Sequence, residues 1–405
     1  MRSLPILPAR RAFLQRLFVG PRAERAPAPL VVVFLRGALD GLNAVVPHFD
    51  PDYRRWRPTL ALPKPDRGLL EGRACLDLDG SFSLHPALGP LLPLFREGRM
   101  AIVHAVGSDD RTRSHFEAQD QAEHGAASGQ SVSGGWIGRH LRSRSGSSGA
   151  VQALAFGEAI PESLRGAPAA GALRSIADLR IRASGGAAGV VSALERLHAE
   201  GDDLVASSGR ETLALLRRVE AIRDDASGPA SRGYPEDDFG RALAEAARLL
   251  RADLGLEAAC LDLGGFDTHF GQGTLGDGLA GGLAGPLRSL GAGLAAFAKD
   301  LGPRFDETTV VVLTEFGRRV YENTALGTDH GSASAMFLLG GGLRGGKVHG
   351  RWPGLARERL HEESDLAVTT DYRQVLAEVL ARRQGQERID AVFPGLRPAY
   401  LGVCG

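Results

Sequence analysis

The sequence predicts an α/β domain with a mostly parallel central sheet and helices on both faces. Two observations carry this: short β-branched apolar runs that end in glycine or polar loops, and amphipathic helical patterns lying between them. A chain of 405 residues has ample length to bury such a sheet.

Leu30 to Leu35 (LVVVFL), which follows the proline-rich stretch Ala26 to Pro29 and stops at Arg36-Gly37, is continuous rather than alternating, as expected of a strand buried on both faces. Similar runs follow at Met100 to Ala105, Val151 to Phe156, Ala258 to Leu263, Thr309 to Leu313 and Ala335 to Leu339. Between them, Phe239, Leu243, Ala246, Leu250 and Leu254 share one helical face. Leu287, Leu290, Leu294, Phe297 and Leu301 form a second such face, and Tyr372, Val375, Leu376, Val379 and Leu380 a third. Residues 125–233 read differently, with Ser/Gly clusters and a charged helical stretch, and are expected to form an insertion or cap on the main domain spanning 29–405.

Composition narrows the partners. Lys plus Arg equals Asp plus Glu at 48 each, so no global basic field draws nucleic acid. The longest apolar run, Leu30 to Leu35, is too short for a membrane span. Cys75, Cys260 and Cys404 form neither an even set nor a CxxC pair, which argues against a disulfide framework or a thiolate metal site. Residues 1–28 read as a basic arm or a degenerate twin-arginine leader, because Arg10-Arg11-Ala-Phe-Leu lacks a long apolar stretch behind it. A working leader implies export to the periplasm or cell surface, a bare arm the cytoplasm.

Ligands of open α/β sheets bind beyond the strand ends, where loops converge. Those positions hold Asp40, the Ser114-His115 pair, Asp267 with His269, Glu315, and Asp329-His330. Each has a plainer reading. Asp40-Gly41 suits a turn, and Ser114 with Glu117 fits a capping box. Glu315 could pair with Arg318 or Arg319, and His330 could sit in a polar loop. Asp267-Thr-His269 in a glycine-rich loop puts oxygen and nitrogen donors side by side, as divalent metals require. Gly340-Gly-Gly342-Leu-Arg-Gly345 satisfies GxGxxG, yet Gly, Trp and Pro stand where a nucleotide-binding helix should open, so it reads as a glycine turn.

The segments LVVVFLRGALDGLNAVVP, TRSHFEAQD, GGWIGRHL, LDLGGFDTH, VVVLTEFGRRVYENTALGTDHGSASAMFLLGG and VTTDYRQVLAEVL resemble the bacterial family named domain of unknown function 1501, over about Leu30 to Leu380. That family is placed in the alkaline phosphatase and sulfatase superfamily, and its members often carry twin-arginine leaders. The resemblance implies an alkaline-phosphatase-like fold and metal-bound carboxylates and histidines. It matches Asp40 to the first-strand acid, Ser114 to the hydroxyl nucleophile, Asp267 and His269 to the middle pair, and His330 to the final histidine. Where the superfamily has Asp-His, this chain has Glu315-Phe316, and a phenyl ring binds no cation. One ion site is thereby complete as Asp267, His269 and His330, while a second retains only Asp40 and Glu315, joined by Ser114 or Asp329.

The implied chemistry is hydrolysis of a small anionic phosphate or sulfate ester, assisted by zinc, manganese or iron. Ser114 would attack from a helix N-terminus, and Arg113 or Arg318 would clamp the ester oxygens. His115 ranks lower as a ligand, since Phe116 beside it is expected to start the helix's apolar face. The other reading is a catalytically inactive protein that binds a partner such as a surface glycan on the same scaffold.

Overall fold

The computed structural model describes residues 28–65, 74–144, 152–178, 187–199, 229–273 and 282–405, with isolated positions between 206 and 222. The Arg10-Arg11 arm lies outside the described residues.

Strand β1 (Leu30–Leu35) is buried at every position and lies at the centre of the main sheet. The small antiparallel sheet of β2 (Val45–Val46), β3 (Leu76–Asp77) and β4 (Ser83–Leu84) follows it in the chain. The main sheet continues with β5 (Met100–Gly107), β6 (Ala153–Phe156), β7 (Ala170–Leu173), β8 (Ala258–Leu263), β9 (Thr309–Thr314), β10 (Ser334–Gly340), β11 (Lys347–His349) and β12 (Thr370–Asp371). Its spatial order is β11-β5-β10-β9-β1-β8-β6-β7, with β12 also paired to β5.

Every pairing in this sheet is parallel except the two made by β10, which runs against both β5 and β9. The start of β10 therefore lies at the edge where its neighbours end. Register sharpens this: Leu35 stands opposite both Leu263 and Thr314, so the loops leaving β1, β8 and β9 emerge side by side.

Alternation along β1 feeds two cores. Val31, Val33 and Leu35 join the core beneath helices Asp238–Arg251 and Ala284–Leu301. Leu30, Val32 and Phe34 join the opposite one, covered by Trp136–Ser143, Tyr372–Arg383 and Ile389–Val392. All residues of the three expected helical faces are buried.

Part of the 125–233 span is built into the main domain. Helix Trp136–Ser143, β6 and β7 fall within 125–233, yet they are part of the second core and of the sheet edge. That part of the span completes the sheet instead of capping it, because β6 supplies the parallel partner that β8 needs on its outer side. Much of the remainder of the span lies outside the described residues. Among the described residues no helix is long and apolar enough to cross a membrane. All three cysteines are buried and free.

Candidate metal centre

The loops leaving β5 and β8 and the loop joining β9 to β10 bring three imidazoles and one carboxylate together. Helix His115–His124 starts just past β5, with Ser114 extended at its N-cap and Gly125 in the left-handed region at its end. Ser114 makes no side-chain capping bond, so the expected capping box does not form. At β8, Gly37 allows the loop to close in: it has φ +111°, and a Cβ there would stand 2.5 Å from the Asp267 backbone nitrogen.

Each ring is anchored on its far side. His115 Nδ1 lies 2.8 Å from Glu315 Oε1, His269 Nδ1 3.1 Å from Asp329 Oδ1, and His330 Nδ1 2.9 Å from the Arg113 carbonyl oxygen. Carbonyl and ionised carboxylate oxygens only accept, so each Nδ1 carries the proton. The neutral rings then turn Nε2 lone pairs toward Asp267. His269 and His330 Nε2 both stand 3.2 Å from Asp267 Oδ1, and His115 Nε2 stands 3.6 Å from Oδ2. His269 and His330 Nε2 are 2.9 Å apart. His115 Nε2 is buried without a hydrogen-bond partner. Donor atoms of His115, Asp267 and His330 all lie within 4.8 Å of one another.

Facing lone pairs and a carboxylate repel unless a proton or cation lies between them. Imidazole nitrogens with outward N–H groups held by acceptors, plus one carboxylate, form the arrangement that orients ligands around a divalent ion. The donors present thus fit a zinc, manganese or iron ion.

Electrostatics support the same assignment. Burial pushes the Asp267 carboxyl up, but the hydrogen bond from Arg318 and the Arg318 charge outweigh it and hold the pKa at about 2. Burial lowers the His330 pKa, against the bond to the Arg113 carbonyl oxygen, which favours the neutral ring. Phe316 stacks on His115 at a centroid distance of 5.0 Å and touches the His330 ring at 5.0 Å, forming an apolar floor. Because the folded Asp267 pKa lies below its unfolded value, its contribution to stability is complete above about pH 4. It is lost as pH falls through about 2. Urea midpoints of the metal-free protein and of Asp267→Asn should therefore differ most above that range and converge toward the lower value.

The expected residues sort by position. Asp267, His269 and His330 meet at the centre, and Glu315 and Asp329 stand one layer out, each holding a ring. Glu315 is 3% exposed and also accepts from Gly37 N–H, Gln119 and Thr314, which leaves it fixed. Burial raises its pKa, and these bonds more than offset it.

Asp40 is a correction. It is fully buried, Oδ1 caps the amides of Leu42 and Asn43, and Oδ2 accepts from Arg57 and Gln272. A carboxylate offers about four acceptor sites. All of them are filled, leaving none for a metal.

The two clamp arginines are also corrections. Arg318 has a fully buried side chain that donates to the carbonyls of Ala38, Thr328, Gly37 and Phe266 and to Asp267. It fastens three loops, those after β1 and β8 and its own between β9 and β10, and cannot reach an ester. Arg113 pairs with Glu362 and Asp365, each at 2.9 Å, and serves the centre through its carbonyl, turned toward His330 by a left-handed φ of 53°.

His115 is the residue that sequence reasoning undervalued. Phe116 does not start an apolar face; it is 89% exposed. The usable signal was His115 itself, at the first helical position past a strand end.

A family model described as "Protein of unknown function (DUF1501)" matches residues 99–393. The chain belongs to the DUF1501 family. The matched span of this DUF1501 chain contains His115, Asp267, His269, Glu315, Asp329 and His330, whereas Asp40 and Arg57 precede it. Among solved structures, the DUF1501 chain is similar to the C-terminal periplasmic domain of EcEptC from Escherichia coli in complex with zinc. Identity is 10%, coverage 78% of this chain and 74% of that one, and the TM-score 0.36. It is also similar to an alkaline phosphatase from the Antarctic bacterium TAB5, at 9% identity, 78% and 93% coverage and a TM-score of 0.28. No curated protein matches it.

Proposed function

We propose that this protein is a metal-dependent hydrolase of phosphate or sulfate esters that uses one divalent ion. The observation carrying the proposal is the convergence of three Nε2 atoms on Asp267, with every Nδ1 committed to an acceptor and His115 Nε2 buried without a partner. His115, Asp267 and His330 hold the ion, and His269, the most exposed of the rings at 44%, takes the fourth position. A bound divalent ion supplies charge neutralisation at the ester oxygens.

Ser114 sits between Arg113, whose carbonyl anchors His330, and His115, which Glu315 anchors. Its hydroxyl makes no capping bond, so the first-turn amides of the helix are free to receive an anion. In this reading Ser114 Oγ bonds to phosphorus or sulfur as the bond to the alcohol oxygen breaks, and the hydroxyl proton passes to the departing alcohol. Water then cleaves the Ser114 ester, restoring the hydroxyl and releasing the inorganic anion.

Metal analysis of purified protein should find about one zinc, manganese or iron ion per chain, and the bound ion should raise the melting temperature. Ser114→Ala should retain the ion and lose turnover. A chain that neither holds nor is stabilised by any of these ions ends the proposal; full turnover by Ser114→Ala removes Ser114 from it.

The non-catalytic reading draws on one feature. Arg57 neutralises Asp40, and both expected clamp arginines are occupied, which leaves an ion site with little else to handle an ester. A metal-loaded protein inactive on both phosphate and sulfate esters would favour it.

A further inference from the structure

Arg113 directly precedes Ser114, has a left-handed φ of 53°, and places its carbonyl oxygen 2.9 Å from His330 Nδ1. A residue other than glycine keeps such a backbone only where its surroundings fix it. Here the side chain does so: Arg113 Nη2 donates to Glu362 Oε2 and to Asp365 Oδ2, each at 2.9 Å. The two carboxylates are unequal. The Glu362 side chain is 47% exposed, where water screens an ion pair, whereas that of Asp365 is wholly buried.

Asp365 also grips the other side of the centre. Its Oδ2 accepts from Ser332 Oγ at 2.8 Å, two residues past His330, and its Oδ1 accepts from Ser364 Oγ at 2.6 Å. The backbone around it is strapped to the loop between β9 and β10, with the Val320 amide donating to the Ser364 carbonyl and the Ala333 amide to the Leu366 carbonyl. One buried carboxylate thereby joins the segment entering helix His115–His124 to the segment that carries His330.

We infer that Asp365 is a positioning residue of the ion centre: by holding the Arg113 side chain it keeps the Arg113 carbonyl on His330 Nδ1, and so leaves the His330 Nε2 lone pair for the ion. The inference rests on the proposed ion site. Without that hold, the Arg113 backbone is free to relax out of the left-handed region and take its carbonyl off the ring. The His330 proton can then move to Nε2, where it blocks the donor atom.

The test is zinc affinity of the full chain by chelator competition. Asp365→Asn should bind zinc about tenfold more weakly, the lower end of what partners behind the ligands contribute. Arg113→Met, which keeps the carbonyl but removes the side chain that Asp365 holds, should lose as much, and the double variant no more than either. Ser364→Ala, which removes only a bond to Oδ1, should keep wild-type affinity. Should Asp365→Asn fail to fold, Arg113→Met decides, since its side chain is part-exposed. Unchanged affinity in Arg113→Met, losses that multiply in the double variant, or an equal loss in Ser364→Ala overturns the inference. A wild-type chain that takes up no ion ends the proposed function, and nitrogen NMR of the His330 ring in the metal-free chain then decides this point separately. Protonated Nδ1 in wild type and Ser364→Ala, with mixed tautomers in Arg113→Met, supports the inference; one tautomer throughout overturns it.

Discussion

Arg57→Met lowers the unfolding free energy by about 3–5 kcal/mol, the cost of stranding one half of a buried ion pair. Arg57 and Asp40 side chains are both wholly buried, 2.6 Å apart. Arg57 also donates to Asn43 Oδ1 and to the carbonyls of Val320 and Arg319, so its loss leaves an uncompensated carboxylate and several bare acceptors together. Asp40→Asn in the same chain should restore part of the loss, and a double-mutant cycle in urea measures that coupling. Added zinc or manganese should not rescue Arg57→Met. Rescue by the ion, or a loss below about 1 kcal/mol, would show that Asp40 is not held as the structure has it.

The second large effect concerns the ion itself. His115→Ala should weaken metal binding by about 100-fold or more, since it deletes a donor outright. Glu315→Gln, which leaves the ring but removes the charge behind it, should cost about 10- to 100-fold. Competition with a chromophoric chelator reads both. His48→Ala is the control, because its ring bonds Ser83 and Gly80 beside the small sheet, away from the centre. If His115→Ala keeps full affinity while His269→Ala loses it, the ion sits on Asp267, His269 and His330 alone, as the motif spacing suggests by itself.

Central strands were the most legible part of the sequence, because burial on both faces leaves an unbroken β-branched run such as Leu30–Leu35. Edge elements were not. Lys347–His349 offers only one apolar residue, and Ala170–Leu173 has little side chain to declare it. Strand direction also left no trace: Ser334–Gly340 is as apolar as its parallel neighbours and runs opposite to them.

The same distinction separates the centre's residues. Asp267 and His269 announce themselves within one short loop, and His330 within the next. The role of Asp40 depends on Arg57, an arginine that nothing local links to it, so an acid after a strand looked like a ligand. Arg318 misled for the same reason, since four carbonyls from three loops decide where a guanidinium is spent.

The antiparallel course of β10 bears on how the protein matures. His115, Asp267 and His330 belong to segments far apart in the chain, and none can find the others until β5, β8 and β10 have taken their places around β9 and β1. The last of them waits for β10 to turn back along the sheet. A chain emerging from synthesis or refolding from urea carries Asp267 and His269 together from the start, but His115 and His330 can join them only once the sheet has formed. Ion uptake during refolding would then serve as a clock for the final docking of the sheet, running behind any signal from secondary structure.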